Sequence, residues 1–433
     1  MNLNSLSKWF TVGIGVKRWL IVLVVGICLI TVGINILILA FIGIHLITPP
    51  STFIEYLVVI LLVMIGFITV LFSVRKFSRN ILEPYRKTQQ GRVVDVVYSH
   101  RRRQKELRVV AIGGGTGLPS VLRGLKQFTG NITAVVTVAD DGGSSGRLRR
   151  ELGVLPPGDI RNNIAALADD ESLMTQLFQY RFDTGDLGGH AFGNLFITAL
   201  AGVTGSIETA LIETERVLNI QGRVIPATLD NVNLAASIKV PNNSHPIRVE
   251  GESNITKMGG AIAHVEHVPP DDQSNKESTR ANLDADLEVI GPGSLYTSIL
   301  PNLLVKGIAE ALRGTNAYVI YVCNVATQSG ETDDFTVAEH VMALEQHIGR
   351  GLFQLVLANN IYPIDNAGTN TKYVQPAPPH HEILQRYEVR YTDLTDTSRP
   401  WRHDPQKLVA AILQLSEEER IGTGTSTNIF TET

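Results

Sequence analysis

Two long stretches near the N terminus contain no Asp, Glu, Lys or Arg, and they restrict the fold more than any other feature of this 433-residue chain. The first runs from Trp19 to Ile47 and the second from Leu57 to Val74. A helix needs about 20 apolar residues to cross the hydrocarbon core of a bilayer. Pro49 and Pro50 lie between the stretches and favour a turn. The sequence therefore predicts a transmembrane helical hairpin over residues 19–75.

The charged residues that flank the hairpin predict its orientation. Lys17 and Arg18 precede the first stretch, Arg75 and Lys76 follow the second, and the connection carries Glu55 but no Lys or Arg. Because positively charged flanks stay in the cytoplasm, we expect a multi-pass protein of the cell (inner) membrane with cytoplasmic N- and C-termini. A cleaved signal peptide and two buried core helices are the alternatives, but a signal peptide has a shorter apolar part and no second span follows it.

Composition divides the chain further and excludes some partners. In order, we expect a cytoplasmic N terminus, the hairpin, a basic linker, a globular domain and a flexible tail, over residues 1–18, 19–75, 76–106, 107–415 and 416–433. The net charge of −4 argues against a nucleic-acid partner. The two cysteines, Cys28 and Cys323, are too few for a disulfide framework or a zinc cluster.

The globular domain begins with a strand, a glycine turn, a helix and a second strand. The four segments are Leu107–Ile112, Gly113–Gly117, Leu118–Phe128 and Ile132–Val138. This order is typical of the first unit of a mostly parallel α/β sheet. Glycine lets the backbone approach a ligand, and free N–H groups at a helix start attract phosphate. The turn therefore predicts an anion site, although it matches neither a strict dinucleotide fingerprint nor a Walker A loop.

The end of the second strand adds acidic, hydroxyl and basic groups to the candidate site. Asp140 and Asp141 follow the strand, and a glycine- and serine-rich run leads to Arg147. We expect this run to be a loop. Two adjacent carboxylates at the carboxyl edge of a sheet can hold a ribose hydroxyl or a Mg²⁺ ion, and arginine can bind phosphate. A merely solvated loop is the alternative.

A third polar cluster precedes a predicted helix at Pro157–Asn163. Proline presets the backbone for the helix, and Asp159 can cap it. Arg161 and Asn162 could instead reach a ligand, and the sequence alone does not decide between the two roles.

Two further clusters contain glycine. Gly188–Asn194 includes His190, which can act as an acid or base near neutral pH, although the sequence shows no partner for it. Gly291–Ser298 follows the strand Leu287–Ile290 and precedes a helix near residues 301–312, which repeats the strand–glycine–helix pattern. By contrast, residues 220–267 contain short alternating segments that predict an antiparallel insertion.

The five motifs together resemble the bacterial gluconeogenesis factors, which belong with the 2-phospho-L-lactate transferases of deazaflavin-cofactor synthesis. The matching segments are Gly113–Gly117, Ala139–Arg147, Pro157–Asn162, Gly189–Asn194 and Gly291–Ser298. The resemblance covers roughly residues 107–415 and leaves out the hairpin, which many members of the family lack. It implies a Rossmann-like, mostly parallel sheet with an inserted antiparallel sub-domain.

The resemblance leaves two functions open. The gluconeogenesis-factor branch implies a regulatory protein that binds UDP-sugars and supports cell shape and wall synthesis on gluconeogenic carbon sources. The transferase branch implies Mg²⁺-dependent transfer of a phospholactyl-type group from a nucleoside diphosphate carrier. The form of Asp140–Gly146 is more similar to the first branch. Assembly as a homodimer is a further expectation.

Carry-over from the family and position at strand ends together give the candidate site. Asp140 and Asp141 are the expected metal or ribose ligands, and Asp141→Ala is expected to abolish ligand binding without unfolding the domain. The full set of expected ligand-binding residues is Gly114, Gly115, Thr116, Gly117, Asp140, Asp141, Gly142, Ser144, Ser145, Arg147, Asp159, Arg161, Asn162, His190, Asn194, Gly291, Gly293 and Ser294.

Overall fold

The chain forms two compact units, Met1–Arg101 and Arg102–Thr433. The structure, a computed structural model, describes residues 16–42, 53–86, 107–169, 172–240, 243–363 and 372–422.

The first unit is a pair of apolar helices, α1 (Val16–Ile42) and α2 (Phe53–Arg86). Each is long and apolar enough to cross a membrane, and only 11% of each apolar window is buried. Small residues let the two backbones approach closely, because a Cβ added at Gly66 would lie 2.9 Å from the carbonyl oxygen of Gly26. Helix α2 continues beyond the apolar span Tyr56–Lys76 to Arg86, so the first residues of the predicted basic linker are helical.

The second unit alternates strands and helices. In chain order its elements are β1 (Val109–Gly113), α3 (Leu118–Leu125), β2 (Ile132–Val136), α4 (Gly143–Leu152), α5 (Gly158–Leu167), α6 (Leu173–Gln179), α7 (Phe192–Thr204), α8 (Ile207–Leu218), β3 (Arg223–Pro226), β4 (Asn233–Lys239), β5 (Ile247–Glu250), α9 (Glu252–Met258), β6 (Ala261–Val268), α10 (Lys276–Leu283), β7 (Leu287–Ile290), a π-helical turn (Leu295–Ile299), α11 (Leu300–Leu304), α12 (Ile308–Gly314), β8 (Tyr318–Val322), α13 (Val337–Ile348), β9 (Leu355–Asn359), α14 (Ile383–Arg386), β10 (Glu388–Thr392) and α15 (Pro405–Gly422).

Seven strands form one parallel sheet in the order β10-β9-β8-β7-β1-β2-β3. Apart from the edge strand β10, which is partly exposed and contains Glu388 and Arg390, the strands are largely buried and apolar. This suits a sheet that is covered by helices on both faces, and an apolar cluster fills each face. From β1 the chain first builds outward through β2 to β3 and then returns to the other side of β1 with β7. The switch point of the sheet therefore lies between β1 and β7. This is the Rossmann-like α/β fold that the sequence predicted.

A separate three-stranded antiparallel sheet, in the order β5-β4-β6, forms the insertion. Its predicted boundaries were partly wrong. Residues 223–226 pair in parallel with β2 and complete the large sheet instead of starting the insertion. The predicted strand around Ile255 is also helical, because α9 begins at Glu252.

Two other predicted elements differ from the structure. The glycine- and serine-rich run after Asp141 is not a loop, because α4 begins at Gly143 within it. The last helix continues to Gly422, so residues 416–422 belong to α15 and not to a tail. The rest of the predicted tail, residues 423–433, lies outside the described residues.

Candidate functional site

The carboxylate of Asp159 fixes the backbone of the glycine turn that follows β1. Gly115 has a φ of 61°, which favours glycine, and its backbone N–H donates to Oδ2 of Asp159 over 2.8 Å. Asp159 is the second residue of α5 but forms no capping bond to its own helix. The predicted cap therefore acts on a different segment, and it fixes the turn that precedes α3.

The matching turn after β7 is fixed by a side-chain amide. The Gly293 N–H donates to Oδ1 of Asn324 over 3.1 Å, and Nδ2 of Asn324 donates to the Gly293 carbonyl over 2.8 Å. The hydroxyl of Ser294 donates to Oε1 of Gln328. Asn324 and Gln328 follow β8, so the ends of β7 and β8 are joined by neutral polar groups.

The two glycine turns touch each other through their backbones. A Cβ at Gly117 would lie 2.3 Å from the carbonyl oxygen of Pro292 and 2.9 Å from the nitrogen of Gly293. No side chain fits between them. The ends of β1 and β7 therefore form one continuous floor at the switch point of the sheet, which is where ligands bind in open parallel α/β sheets.

This floor lines a cavity of about 350 Å³. Its main groups are Gly115, Gly117, Gly293, Ser294, Trp401 and Arg402. The volume lies in the range of small-molecule sites, which is roughly 300–1,000 Å³. A larger cavity of about 550 Å³ lies at the opposite, amino-terminal edge of β1 and β2, between Arg108 and Arg280. We favour the smaller one because it lies at the carboxyl ends of the strands.

The wall opposite the turns comes from the loop between β10 and α15. Thr395 and His403 form an antiparallel bridge that closes this loop, and Oδ1 of Asp396 accepts the N–H groups of Ser398 and Arg399 inside it. The closed loop presents Trp401 and Arg402 to the cavity. Arg402 is exposed and forms no ion pair within the described part of the chain.

His403 supports this wall from below. It is buried, and its Nε2 lies 3.2 Å from the carbonyl oxygen of Cys323 at the end of β8. Burial lowers the pKa of His403 to about 4, so the ring is neutral and donates to the carbonyl at neutral pH. The ring therefore anchors the loop to the sheet and leaves the charge of the wall to Arg402.

A group of carboxylates lies beside the cavity, beyond β2. Burial, and next the Asp140 carboxylate, raise the pKa of Asp159 to about 7. Burial raises the pKa of Asp140, and burial with repulsion from Asp140 and Asp159 raises that of Glu252 well above its usual value. Among the described residues, no three or more His, Cys, Asp or Glu side chains are grouped to hold a metal ion by themselves.

The two adjacent aspartates have different contacts. Oδ1 of Asp140 accepts the Gly142 N–H over 2.8 Å, which closes the turn into α4. Oδ1 of Asp141 accepts the Ser253 N–H over 2.9 Å, at the start of α9 in the insertion. Asp141 therefore joins the insertion to the large sheet, a role that the sequence did not indicate.

His190 has a partner that the sequence did not show. Oγ of Ser144 lies 3.0 Å from Nδ1 of His190 and accepts from Nδ2 of Asn194 over 3.0 Å. All three side chains are buried. Burial, and next the charge of Arg147, lower the pKa of His190, which favours the neutral ring, and the tautomer of that ring decides whether Nδ1 or the Ser144 hydroxyl donates in their hydrogen bond. The trio ties α4 to the start of α7.

The predicted site residues therefore fall into separate groups. The cavity contains Gly115, Thr116, Gly117, Gly293 and Ser294. Gly114 and Gly291 are buried beneath it. The remaining predicted residues lie on the β2 side or in the buried trio, namely Asp140, Asp141, Gly142, Ser144, Ser145, Arg147, Asp159, Arg161, Asn162, His190 and Asn194.

Sequence reasoning missed Trp401 and Arg402 as site residues. They follow no strand directly and no glycine motif marks them. The signal available was a Trp-Arg-His run in an otherwise polar segment just before the last helix, which is too short to recognise without the fold. Asn324 and Gln328 follow β8 and hold the second turn through Gly293 and Ser294.

Comparison with known proteins identifies the family. Residues 109–417 match the family model described as 2-phospho-L-lactate transferase CofD, which includes both glycine turns and the Trp401–Arg402 wall. The chain belongs to the CofD family. Within this family, the gluconeogenesis factor of Bacillus subtilis is 43% identical over 317 residues, 72% of this chain and 98% of its own length.

Two more relatives of this CofD-family chain define its extent. A crystal structure of a UPF0052-family protein from Bacillus halodurans has a TM-score of 0.67 and 41% identity, and covers 71% of this chain and 99% of its own. A relative from Nostoc is 42% identical over 95% of this chain and 92% of its own length, so the similarity reaches into the N-terminal unit. The Bacillus subtilis and Bacillus halodurans proteins cover smaller shares of this chain, 72% and 71%.

Proposed function

We propose that this chain is a membrane-anchored regulatory protein that binds a nucleotide sugar, of the UDP-sugar class, in the cavity between β1 and β7. The observation that carries the proposal is the contact between the two glycine turns at the switch point, opposite Trp401 and Arg402. Such turns bring backbone N–H groups close to a diphosphate, and the Arg402 guanidinium supplies the opposite charge.

The remaining groups suit the other parts of such a ligand. Trp401 offers a flat aromatic face on which a base can stack. Asn324, Gln328 and Ser298 line the cavity with neutral amide and hydroxyl groups, which can exchange hydrogen bonds with sugar hydroxyls. The relatives are named gluconeogenesis factors. For this chain we propose a regulatory role in cell shape and wall homeostasis during growth on gluconeogenic carbon sources.

The second candidate is a Mg²⁺-dependent transferase acting on a nucleoside diphosphate-linked donor. The raised pKa values of Asp140 and Asp159 favour it, because a cation would stabilise both carboxylates. Mg²⁺ usually takes one or two carboxylates together with phosphate oxygens and water, and this pair fits that pattern. Bound there, Mg²⁺ would neutralise charge on the diphosphate, while the glycine turns and Arg402 position it.

Calorimetric titration of the full chain in detergent, with UDP-N-acetylglucosamine and with GDP, separates the candidates. Each ligand is titrated with Mg²⁺ and after its removal. The sensor predicts binding of the uridine sugar that survives metal removal without product formation. Preference for GDP with a strict Mg²⁺ requirement would favour the transferase and contradict the sensor.

Arg402→Gln tests the cavity itself. We expect the Kd of the uridine sugar to rise about 10- to 100-fold, since a charge-assisted hydrogen bond contributes roughly 1.5–3 kcal/mol. Arg399→Gln is the matched control, because Arg399 is exposed in the same loop but does not line the cavity. Equal effects of both substitutions would place the diphosphate elsewhere.

The membrane location is proposed from the two apolar helices and their positive flanks. We expect the full chain to remain with membranes after a carbonate wash and a variant that starts at residue 102 to be released. Release of both proteins would contradict an anchor in α1 and α2.

A further inference from the structure

Three arginines on the β2 side of the second unit have no acidic partner. Arg147 lies on α4, Arg161 on α5 and Arg181 in the segment before α7. Within the described residues, none of the three forms an ion pair with a carboxylate, whereas other arginines of the large sheet and its helices do, such as Arg108 with Asp286 at 2.7 Å. We call these three side chains the arginine cluster.

Backbone carbonyls hold the cluster in place. Nη2 of Arg147 donates to the Gly188 carbonyl over 2.7 Å, and Nη1 of Arg181 donates to the neighbouring Gly189 carbonyl over 2.6 Å. Two consecutive residues thus each hold one guanidinium group, and both charges act on the neighbouring His190 ring. The segment that supplies them is itself fixed, because the Phe182 N–H donates to the His190 carbonyl and the Gly189 N–H to the Phe182 carbonyl.

The third member of the cluster is buried. Only 9% of Arg161 is exposed, Nη2 donates to Oδ1 of Asn162 over 2.7 Å, and Nε has no hydrogen-bond partner. A buried guanidinium with an unmet donor is costly unless an anion completes it. Burial, and next repulsion from Arg181, lower the pKa of Arg161, although Asp159 and Asp140 attract its charge from the cavity side.

The cluster is separate from the glycine-turn cavity. None of its three arginines lines that cavity, and they are positioned by α4, α5 and the segment before α7, whereas the cavity lies between β1, β7 and β8. The sequence placed Arg147 and Arg161 among the contacts of one ligand. Their position beyond β2, outside the cavity, is consistent with a second ligand.

We propose that the arginine cluster binds the phosphate or carboxylate group of a small molecule distinct from the nucleotide sugar. Guanidinium groups bind such oxygen anions in a planar, two-pronged geometry, and three of them can surround one tetrahedral group. The protein then carries two ligands at one sheet edge, one on the glycine turns and one on the cluster. This inference stands on the unpaired arginines and does not depend on the identity of the cavity ligand.

The test uses inorganic phosphate as the probe and the full chain in detergent. Phosphate is titrated with and without saturating UDP-N-acetylglucosamine. We expect phosphate to bind in both conditions, and Arg181→Gln to raise its Kd at least tenfold while the affinity for the uridine sugar stays unchanged. Arg402→Gln is expected to have the opposite effect, weakening the uridine sugar and leaving phosphate bound.

Two controls distinguish binding from folding. Arg216→Gln removes the same charge from a position on α8 whose side chain is 71% exposed, and it should leave phosphate binding unchanged. Arg181→Lys keeps the charge and should retain part of the affinity. The proposal of a separate site would be overturned if the uridine sugar displaced phosphate, or if Arg181→Gln left the Kd of phosphate unchanged. If the original protein does not bind the uridine sugar but still binds phosphate in a way that depends on Arg181, the cluster inference survives the failure of the proposed function.

Discussion

The glycine-turn cavity and the charged side beyond β2 occupy the same carboxyl edge of one sheet, but different forces shape them. In the cavity, backbone contacts and neutral amides decide the geometry, as between Gly117 and Pro292. Beyond β2, buried carboxylates and arginines dominate, and the pKa values of Asp140 and Asp159 are raised. The cavity is therefore defined by shape and should be sensitive to added volume, whereas the charged side should be sensitive to pH and to substitutions that remove charge.

Asp159→Asn should change the free energy of unfolding more than any other substitution proposed here. Asp159 also contacts both regions of the site. The pKa of Asp159 is raised to about 7 in the folded protein and returns to its ordinary value on unfolding. Between these values the folded state binds more protons, so the free energy of unfolding falls as pH rises from about 4 to about 7. Asparagine carries no titrating group, so the variant does not lose this stability as pH rises. Its side-chain oxygen can still accept the Gly115 N–H. We expect the variant to gain up to about 4 kcal/mol over the original protein at pH 8 and little at pH 4.

Urea unfolding of both proteins at pH 4, 6 and 8 measures this difference. Glu215→Gln is a matched control, since burial also raises the pKa of Glu215 to about 7 while its carboxylate accepts the Val224 N–H outside the site. The control should show a similar pH profile without any change in ligand affinity. If the difference in unfolding free energy between Asp159→Asn and the original protein did not change with pH, the pKa of Asp159 would not be raised in the folded protein.

Gly117→Ala tests the shape of the cavity. The new Cβ would lie 2.3 Å from the Pro292 carbonyl oxygen, and because both partners are backbone the two turns must separate. We expect a loss of about 1–3 kcal/mol in the free energy of unfolding, as for other overpacked sites, and loss of ligand binding at every pH. Thermal unfolding and calorimetry measure the two effects.

Gly202→Ala is the control for the same chemical change. Gly202 lies in helix α7, where a Cβ added to it would meet no atom within 4 Å, and alanine in a helix interior should stabilise by about 0.5–1 kcal/mol. A Gly117→Ala protein that binds normally would mean that the floor of the cavity can open, which would remove the contrast with the charged side.

Local sequence patterns predicted the parallel sheet well, because each of its central strands is a short apolar run that ends in glycine or polar residues. The strand Leu287–Ile290 was placed at its observed bounds, and the glycine turns were recognised from composition alone. The local sequence pattern was less informative where tertiary contacts determine the secondary structure. The run at Gly143–Leu152 is poor in apolar residues and rich in glycine and serine, yet it is helical because its buried face packs on α7.

Contacts between distant parts of the chain could not be derived from spacing. Asp159 is separated from Gly115 by 44 residues, and Asp141 from Ser253 by 112. Nothing in the local sequence shows which amide a carboxylate will accept. The same holds for Trp401 and Arg402, since the bridge between Thr395 and His403 closes their loop and the bond from His403 to the Cys323 carbonyl anchors it beside the cavity.

Asp141→Ala should have the smallest destabilising effect of these substitutions, and it sharpens the comparison between the neighbouring carboxylates Asp140 and Asp141. Sequence reasoning expected it to abolish binding, but Asp141 accepts the Ser253 N–H and so joins α9 to the sheet. We expect a loss of about 1 kcal/mol, the usual contribution of one hydrogen bond, and a modest change in ligand affinity. Hydrogen exchange should show faster opening of α9 while β1 and β7 stay protected.

Asp140→Ala is the companion variant, because Asp140 closes the turn into α4 and is one of the carboxylates whose pKa is raised. If Asp141→Ala alone abolished binding while α9 stayed protected, Asp141 would be a direct ligand contact and the insertion would not depend on it.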